Sequence, residues 1–257
     1  MSVLRDYDNG HQAGEDPDRD AQPERDGARL AREPALNIPS SLLLLAGICI
    51  ALHVWQTQFL SPLAANSLLS DYALIPARFV SVEGSMPSVA VIKTLVTHSF
   101  LHGDWLHLAF NMVWLVAFGA PVAFRLGFGR TLAFWAATAI AAGGLHMLLY
   151  WGDPVALIGA SGAVSGFLGA AARFGFRRPT TARTGFTQPL LAPGQALRQR
   201  GVVPFLVLWM VLNFATGMGW LGGPSNVAWE AHVGGLVAGF LGIGFFDRTP
   251  AARINVD

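Results

Sequence analysis

Hydrophobic residues along this chain fall into long, nearly uncharged runs instead of the one-sided or alternating patterns of a water-soluble fold. Six runs stand out, near 38–60, 105–123, 130–151, 159–173, 202–220 and 228–246. A bilayer core about 30 Å thick takes roughly 20 apolar residues of helix, so the pattern predicts an all-α membrane protein with six transmembrane helices. The fourth run is short: at 1.5 Å per residue, Gly159 to Arg173 covers only about 20 Å. Its outer end is expected to be recessed, with the loop 153–158 descending into a cavity lined by protein or water, the one setting in which irregular backbone is tolerated at that depth. The 40 or so residues between the first two runs are amphipathic and broken by proline, which predicts a segment lying in the membrane interface.

Composition supports this reading and removes other classes. Of 257 residues, 53% are hydrophobic and 13% charged, against about 25% charged in soluble domains. Seventeen basic residues against 16 acidic ones leave no cationic surplus to neutralise phosphates, so no nucleic-acid partner is expected. The lone Cys49, inside an apolar run, excludes an intrachain disulfide and a thiolate metal cage. Residues 1–36 hold five Arg and nine Asp/Glu but few large apolar side chains, so they read as a disordered cytoplasmic tail, not a transit or signal peptide. A six-helix core is expected over 37–247, followed by a short cytoplasmic tail at 248–257. Fifteen of the 17 basic residues lie in the two tails, the turn with Arg125 and Arg130, and the loop from Arg173 to Arg200; Arg78 and Lys93 are the exceptions. Six spans return both termini to one side, and the excess of Arg makes that side cytoplasmic.

Polar side chains inside spans are costly and tend to mark function. Those near the outer half are His98, His102, His107, Asn111, Ser161, Ser165, Glu230 and His232. His107 and Asn111, four apart, share a helical face and can both donate hydrogen bonds to one point. They also fit plain interhelical bonding, worth about 0.6 kcal/mol per bond. In Gly159-Ala160-Ser161-Gly162, the serine falls in the first turn of the short helix, where unpaired N–H groups and the helix dipole favour negative charge. Against that, Ser161, Ser165 and Gly169, like Gly162 and Gly166, form rows of small residues that serve close helix packing. In the last run, Ala231, Gly235 and Gly239 form one small face with His232 beside it. Packed against the fourth helix, that face would bring the imidazole to the Ser161 hydroxyl, the arrangement of an activated nucleophile. His232 by itself also fits a hydrogen-bonded core histidine.

Taken together, the His-xxx-Asn pair His107/Asn111, the block Gly159 to Gly162 and the block Ala231 to Gly235, in that order on the second, fourth and sixth spans, resemble the rhomboid family of intramembrane serine proteases. The stretch Thr97 to His107, with its ladder His98, His102 and His107, also resembles the family. The resemblance implies a six-helix rhomboid-like bundle in which Ser161 attacks the scissile carbonyl and His232 acts first as base and then as acid. His107, Asn111 and the backbone N–H of Ser161 are the implied oxyanion donors. It further implies transmembrane segments of other proteins as substrates, no cofactor, no metal, and an integral, multi-pass location in a bacterial inner membrane. Two departures stand out. Ser165 occupies the position where many relatives stack an aromatic ring on the histidine, and a Trp-Arg pair common in bacterial members is missing around Ile92-Lys93-Thr94.

Remaining polar residues receive simpler readings. Glu230, offset about 200° from His232 on a helix, is expected to be solvated or interfacial and not a third catalytic acid. His53 and His146 read as structural, Asn213 as interhelical glue, and Trp55, Trp105, Trp151, Trp220 and Trp229 as interfacial anchors. Three rival functions remain: a metal site built on His98, His102 and His107, though their spacing lacks the His-Glu-xx-His pattern; a catalytically silent rhomboid-like chaperone or scaffold; and a transporter, disfavoured because no inverted repeat is present.

Overall fold

A computed structural model describes residues 37–80, 88–176, 188–218, 220 and 228–248. The tail expected over 1–36, all but Arg248 of the one at 248–257, and residues 177–187 of the basic loop lie outside the described residues. The chain forms helices α1 (Ser40–Gln58), α2 (Pro62–Tyr72), α3 (Val89–Ile92), α4 (Thr94–Thr97), α5 (Trp105–Leu126), α6 (Phe128–Leu149), α7 (Ser161–Ala171), α8 (Pro193–Leu197), α9 (Val202–Gly217) and α10 (Trp229–Phe246). No strand occurs among the described residues, and the one isolated bridge pairs Leu74 with Leu157.

All six apolar runs are helical. Helices α1, α5, α6 and α10 are long and apolar enough to cross a membrane, while α7 and α9 are shorter apolar helices. With 11 residues, α7 spans about 17 Å, the truncation expected of the fourth run. It is also the centre of the bundle, since every residue from Gly162 to Ala170 is buried. α5 starts where Asp104 caps it, its carboxylate accepting the His107 N–H at 2.8 Å. It buries the helical stripe Leu108, Asn111, Leu115, Gly119 and Val122.

Glycine decides how closely α7 and α10 approach. A Cβ on Gly235 would land on the carbonyl oxygen of Gly162, one on Gly239 on that of Gly166, and one on Gly169 on that of Leu236. The two backbones are therefore in direct contact, as the rows of small residues predict. α6 closes the other side of α7, with Ala142 against Gly162 and Thr138 against Gly166. Large rings fill the rest of the core, among them Phe134 edge-on to Phe167 at 5.1 Å.

The segment between α1 and α5 is tied to the bundle by backbone bonds and by side chains, Leu74 packing with Ala142 and Ala231 and Ser99 Oγ accepting from Trp135 Nε1 at 3.0 Å. Leu74 and Leu157 exchange N–H···O bonds of 3.1 and 2.8 Å, and the Ala77 N–H donates to Asp153 O at 3.0 Å. Within the segment, Thr97 Oγ1 donates to Tyr72 O at 2.9 Å, and the Lys93 ammonium lies 3.9 Å above the Tyr72 ring. These contacts hold the segment where no Trp-Arg pair is present. At the far ends of α5 and α10, the buried Arg125 binds Asp247 at 2.6 Å and donates to Gln188 O at 2.7 Å. Arg173, at the same end, donates to Leu191 O at 2.6 Å.

Candidate active site

The approach to Ser161 is set by backbone geometry. After the Leu74–Leu157 bridge, the Gly159 N–H donates to His98 O at 2.9 Å. Gly159 has φ +119°, and a Cβ there would sit 2.8 Å from His107 Nε2. Glycine is required on both counts, because only glycine adopts this φ without strain and only a hydrogen fits beside the ring. The chain then turns through Ala160 and starts α7 at Ser161, so the first N–H groups of α7 have no partner within the helix.

His232 lies in the first turn of α10. The glycine contact between α7 and α10 brings its Nε2 to 2.6 Å from Ser161 Oγ, and both residues are only partly buried. A serine hydroxyl at that distance from an unprotonated imidazole nitrogen can pass its proton to it. On the other side of the ring, Nδ1 is hydrogen-bonded to Asn213 Oδ1. The His107 ring borders Gly159 beside Ser161. Asn111, one turn further along α5, is buried, and its Nδ2 donates to His107 O at 3.0 Å. One N–H of that amide is thus committed to its own helix and the other is left to serve a ligand. Ser165 is buried and makes no hydrogen bond among the described residues.

The remaining histidines turn elsewhere. His98 places Nδ1 on Thr94 O at 2.8 Å, and His102, fully buried, meets His107 edge-on at 5.2 Å. His53 is buried against Trp105, ring centroids 4.6 Å apart. Among the described residues, no three His, Cys, Asp or Glu side chains converge on a common point for a metal ion.

Glu230 corrects the sequence-based expectation. It is 2% exposed, neither solvated nor interfacial, and accepts a 2.7 Å hydrogen bond from His146 Nδ1 on α6. His146 Nε2 lies 3.2 Å from Val155 O, so the pair joins α6 and α10 to the strand-like segment leading to Ser161. The hydrogen bond of the carboxylate goes to His146 and not to His232; what sequence could not reveal was that α6 would cover it. Glu230→Ala is expected to lower the melting temperature in detergent by the equivalent of about 3–5 kcal/mol, the usual result of leaving one half of a buried pair. Glu230→Gln, which keeps an acceptor, should lose clearly less, and equal losses would show that the hydrogen bond is unimportant.

Two contacts of the site had no motif to announce them. Asn213 and His146 were visible only as polar residues within apolar runs, and their partners emerge from packing alone. Of the tryptophans expected at the interface, Trp55, Trp105, Trp151 and Trp220 are at least 46% exposed.

Comparison with known proteins covers the same region. The family model described as Rhomboid domain matches residues 90–248, more than half of the chain. The Rhomboid protease GlpG of Serratia proteamaculans is 32% identical over 158 residues, covering 62% of this chain and 49% of that protein. The protein of the same name from Yersinia enterocolitica is 30% identical over 162 residues, with the same coverage. The chain therefore spans about half the length of the curated relatives it matches. The matched stretch contains His107, Asn111, Ser161 and His232, the residues that carry the resemblance in sequence, and by this match the chain belongs to the rhomboid family.

Proposed function

We propose that this chain is an intramembrane serine endopeptidase that cleaves transmembrane segments of other membrane proteins with a Ser161/His232 dyad. The observation that carries this reading is the 2.6 Å approach of His232 Nε2 to Ser161 Oγ. In the first step, Oγ attacks the scissile carbonyl carbon while its proton passes to Nε2. The tetrahedral oxyanion is held by the Ser161 N–H, the His107 ring and the free N–H of the Asn111 amide, each worth about 3 kcal/mol where water is scarce. Protonated His232 then gives its proton to the leaving amine as the C–N bond breaks, leaving an acyl-enzyme on Ser161. A water activated by the same nitrogen releases the acyl group and restores the dyad. The substrate helix must open locally, because intact helical carbonyls are occupied by i to i−4 hydrogen bonds.

The site faces outward in this reading, with 37–247 as the core and both flanking tails in the cytoplasm of a bacterial cell. Two observations support that sidedness. His107 and His232 lie at one end of α5 and α10, and the Arg125–Asp247 pair lies at the other. Arg130, Arg173 and Arg248 lie at the same end as that pair, as expected of a cytoplasmic face.

The test is gel-detected cleavage of a transmembrane reporter by the purified protein in detergent, with and without a chelator. Equal cleavage in both arms is expected. Loss of cleavage on chelation would move the chemistry to His98, His102 and His107, and a protein that cuts no reporter would instead fit a silent scaffold.

A further inference from the structure

Asn213 is the place where α9 reaches the site. Apart from Val202 at its start, it is the only buried residue on that helix, whose remaining side chains are exposed or partly so. A carboxamide within a span is costly unless its groups are paired, and here they are. Nδ2 donates to Trp229 O at 3.0 Å, which turns Oδ1 toward His232 Nδ1.

The orientation of the amide determines the tautomer of the imidazole. A carbonyl oxygen only accepts, so the bond to Asn213 Oδ1 requires the proton on Nδ1. Nε2 is then bare and faces the Ser161 hydroxyl at 2.6 Å as an acceptor. Other groups nearby do not perform this task. Glu230 is engaged by His146, and Ser165 has no ring to stack on the imidazole and makes no hydrogen bond among the described residues.

We propose that Asn213 is a positioning residue that holds His232 in the Nδ1–H tautomer and aims Nε2 at Ser161, so that the dyad takes its orientation from α9. The inference rests on the Ser161/His232 reading and adds a third member, supplied by the least buried of the six helices that the apolar runs form. On proton transfer from Ser161 the imidazole becomes a cation, and Oδ1 continues to accept from Nδ1–H, so the same contact serves both states of the ring.

The test uses the full chain in detergent and a fluorophosphonate probe, which reports the reactivity of the serine without a protein substrate. Wild type, Ser161→Ala, Asn213→Leu and Asn213→Asp are compared. Asn213→Leu is expected to react about ten- to a hundredfold more slowly than wild type, the scale of a misaligned catalytic group. Asn213→Asp, which keeps an acceptor for Nδ1–H, is expected to recover most of that rate. Equal rates for wild type and Asn213→Leu would overturn the role of Asn213 and leave the dyad standing. No labelling of wild type would remove the dyad, and the inference with it. A readout free of variant folding is the ring ¹⁵N spectrum of His232 in the wild-type protein. A protonated Nδ1 with a bare Nε2 is expected, and the opposite tautomer would overturn the proposal.

Discussion

Ser161→Ala is expected to reduce cleavage of a transmembrane reporter by about six orders of magnitude, to the background of the assay, the scale on which loss of the nucleophile acts in a serine protease. Among the described residues, the other hydroxyl of α7, that of Ser165, is buried without a hydrogen bond and is not placed to replace the lost oxygen. The fold should not notice the change. Ser161 is only partly buried and its hydroxyl contacts the ring of His232, so the melting temperature should stay close to that of wild type. His232→Ala is expected to cost nearly as much, and the double variant no more than either single one, because nucleophile and base act as a unit. Purified variants compared in one reporter assay check all three. A double variant far worse than each single one would mean that the two residues work independently.

Gly235→Ala should have the largest effect on the fold for the smallest change in composition. The added methyl would occupy the position of the Gly162 carbonyl oxygen. Because the obstacle is backbone, no rotamer can relieve it, and α10 must move away from α7. Overpacking of a tight core costs about 1–3 kcal/mol where side chains can yield, and here the cost should reach or exceed the top of that range. Activity should fall with stability, since the contact that is lost also sets the distance from His232 to Ser161. Gly242→Ala on the same helix is the control, because a Cβ there meets nothing within 4 Å. Thermal unfolding in detergent together with reporter cleavage separates the two substitutions. Similar behaviour of both would contradict the close α7–α10 contact.

Much of the architecture was legible because hydrophobic runs in a membrane protein translate almost directly into helices. α1, α5, α6 and α10 begin and end within a few residues of the runs that predict them. The shortness of α7 could be read from the position of Arg173, and the α7–α10 contact from Gly162, Gly166, Gly235 and Gly239. Ser161, His232 and His107 were legible because each belongs to a short motif, and the structure brings those three together. Polar residues without a motif were harder to read. Asn213 looked like glue, and it does bridge α9 to α10 through Trp229 O, but its other end meets the imidazole. Glu230 sits near the end of its helix, where exposure is the natural expectation, yet α6 presents His146 at the same level and buries both. Burial of a helix end depends on what a neighbouring helix places beside it, and a single helical wheel does not contain that neighbour.

The central claim is that Ser161, activated by His232, is the nucleophile. The most direct measurement is peptide mass spectrometry of the purified protein after reaction with a fluorophosphonate, reading which residue carries the adduct. One adduct per chain on Ser161, abolished in His232→Ala, is the result expected of the dyad. An adduct on another residue, or a protein that cleaves its reporter while Ser161 remains unmodified, would contradict it.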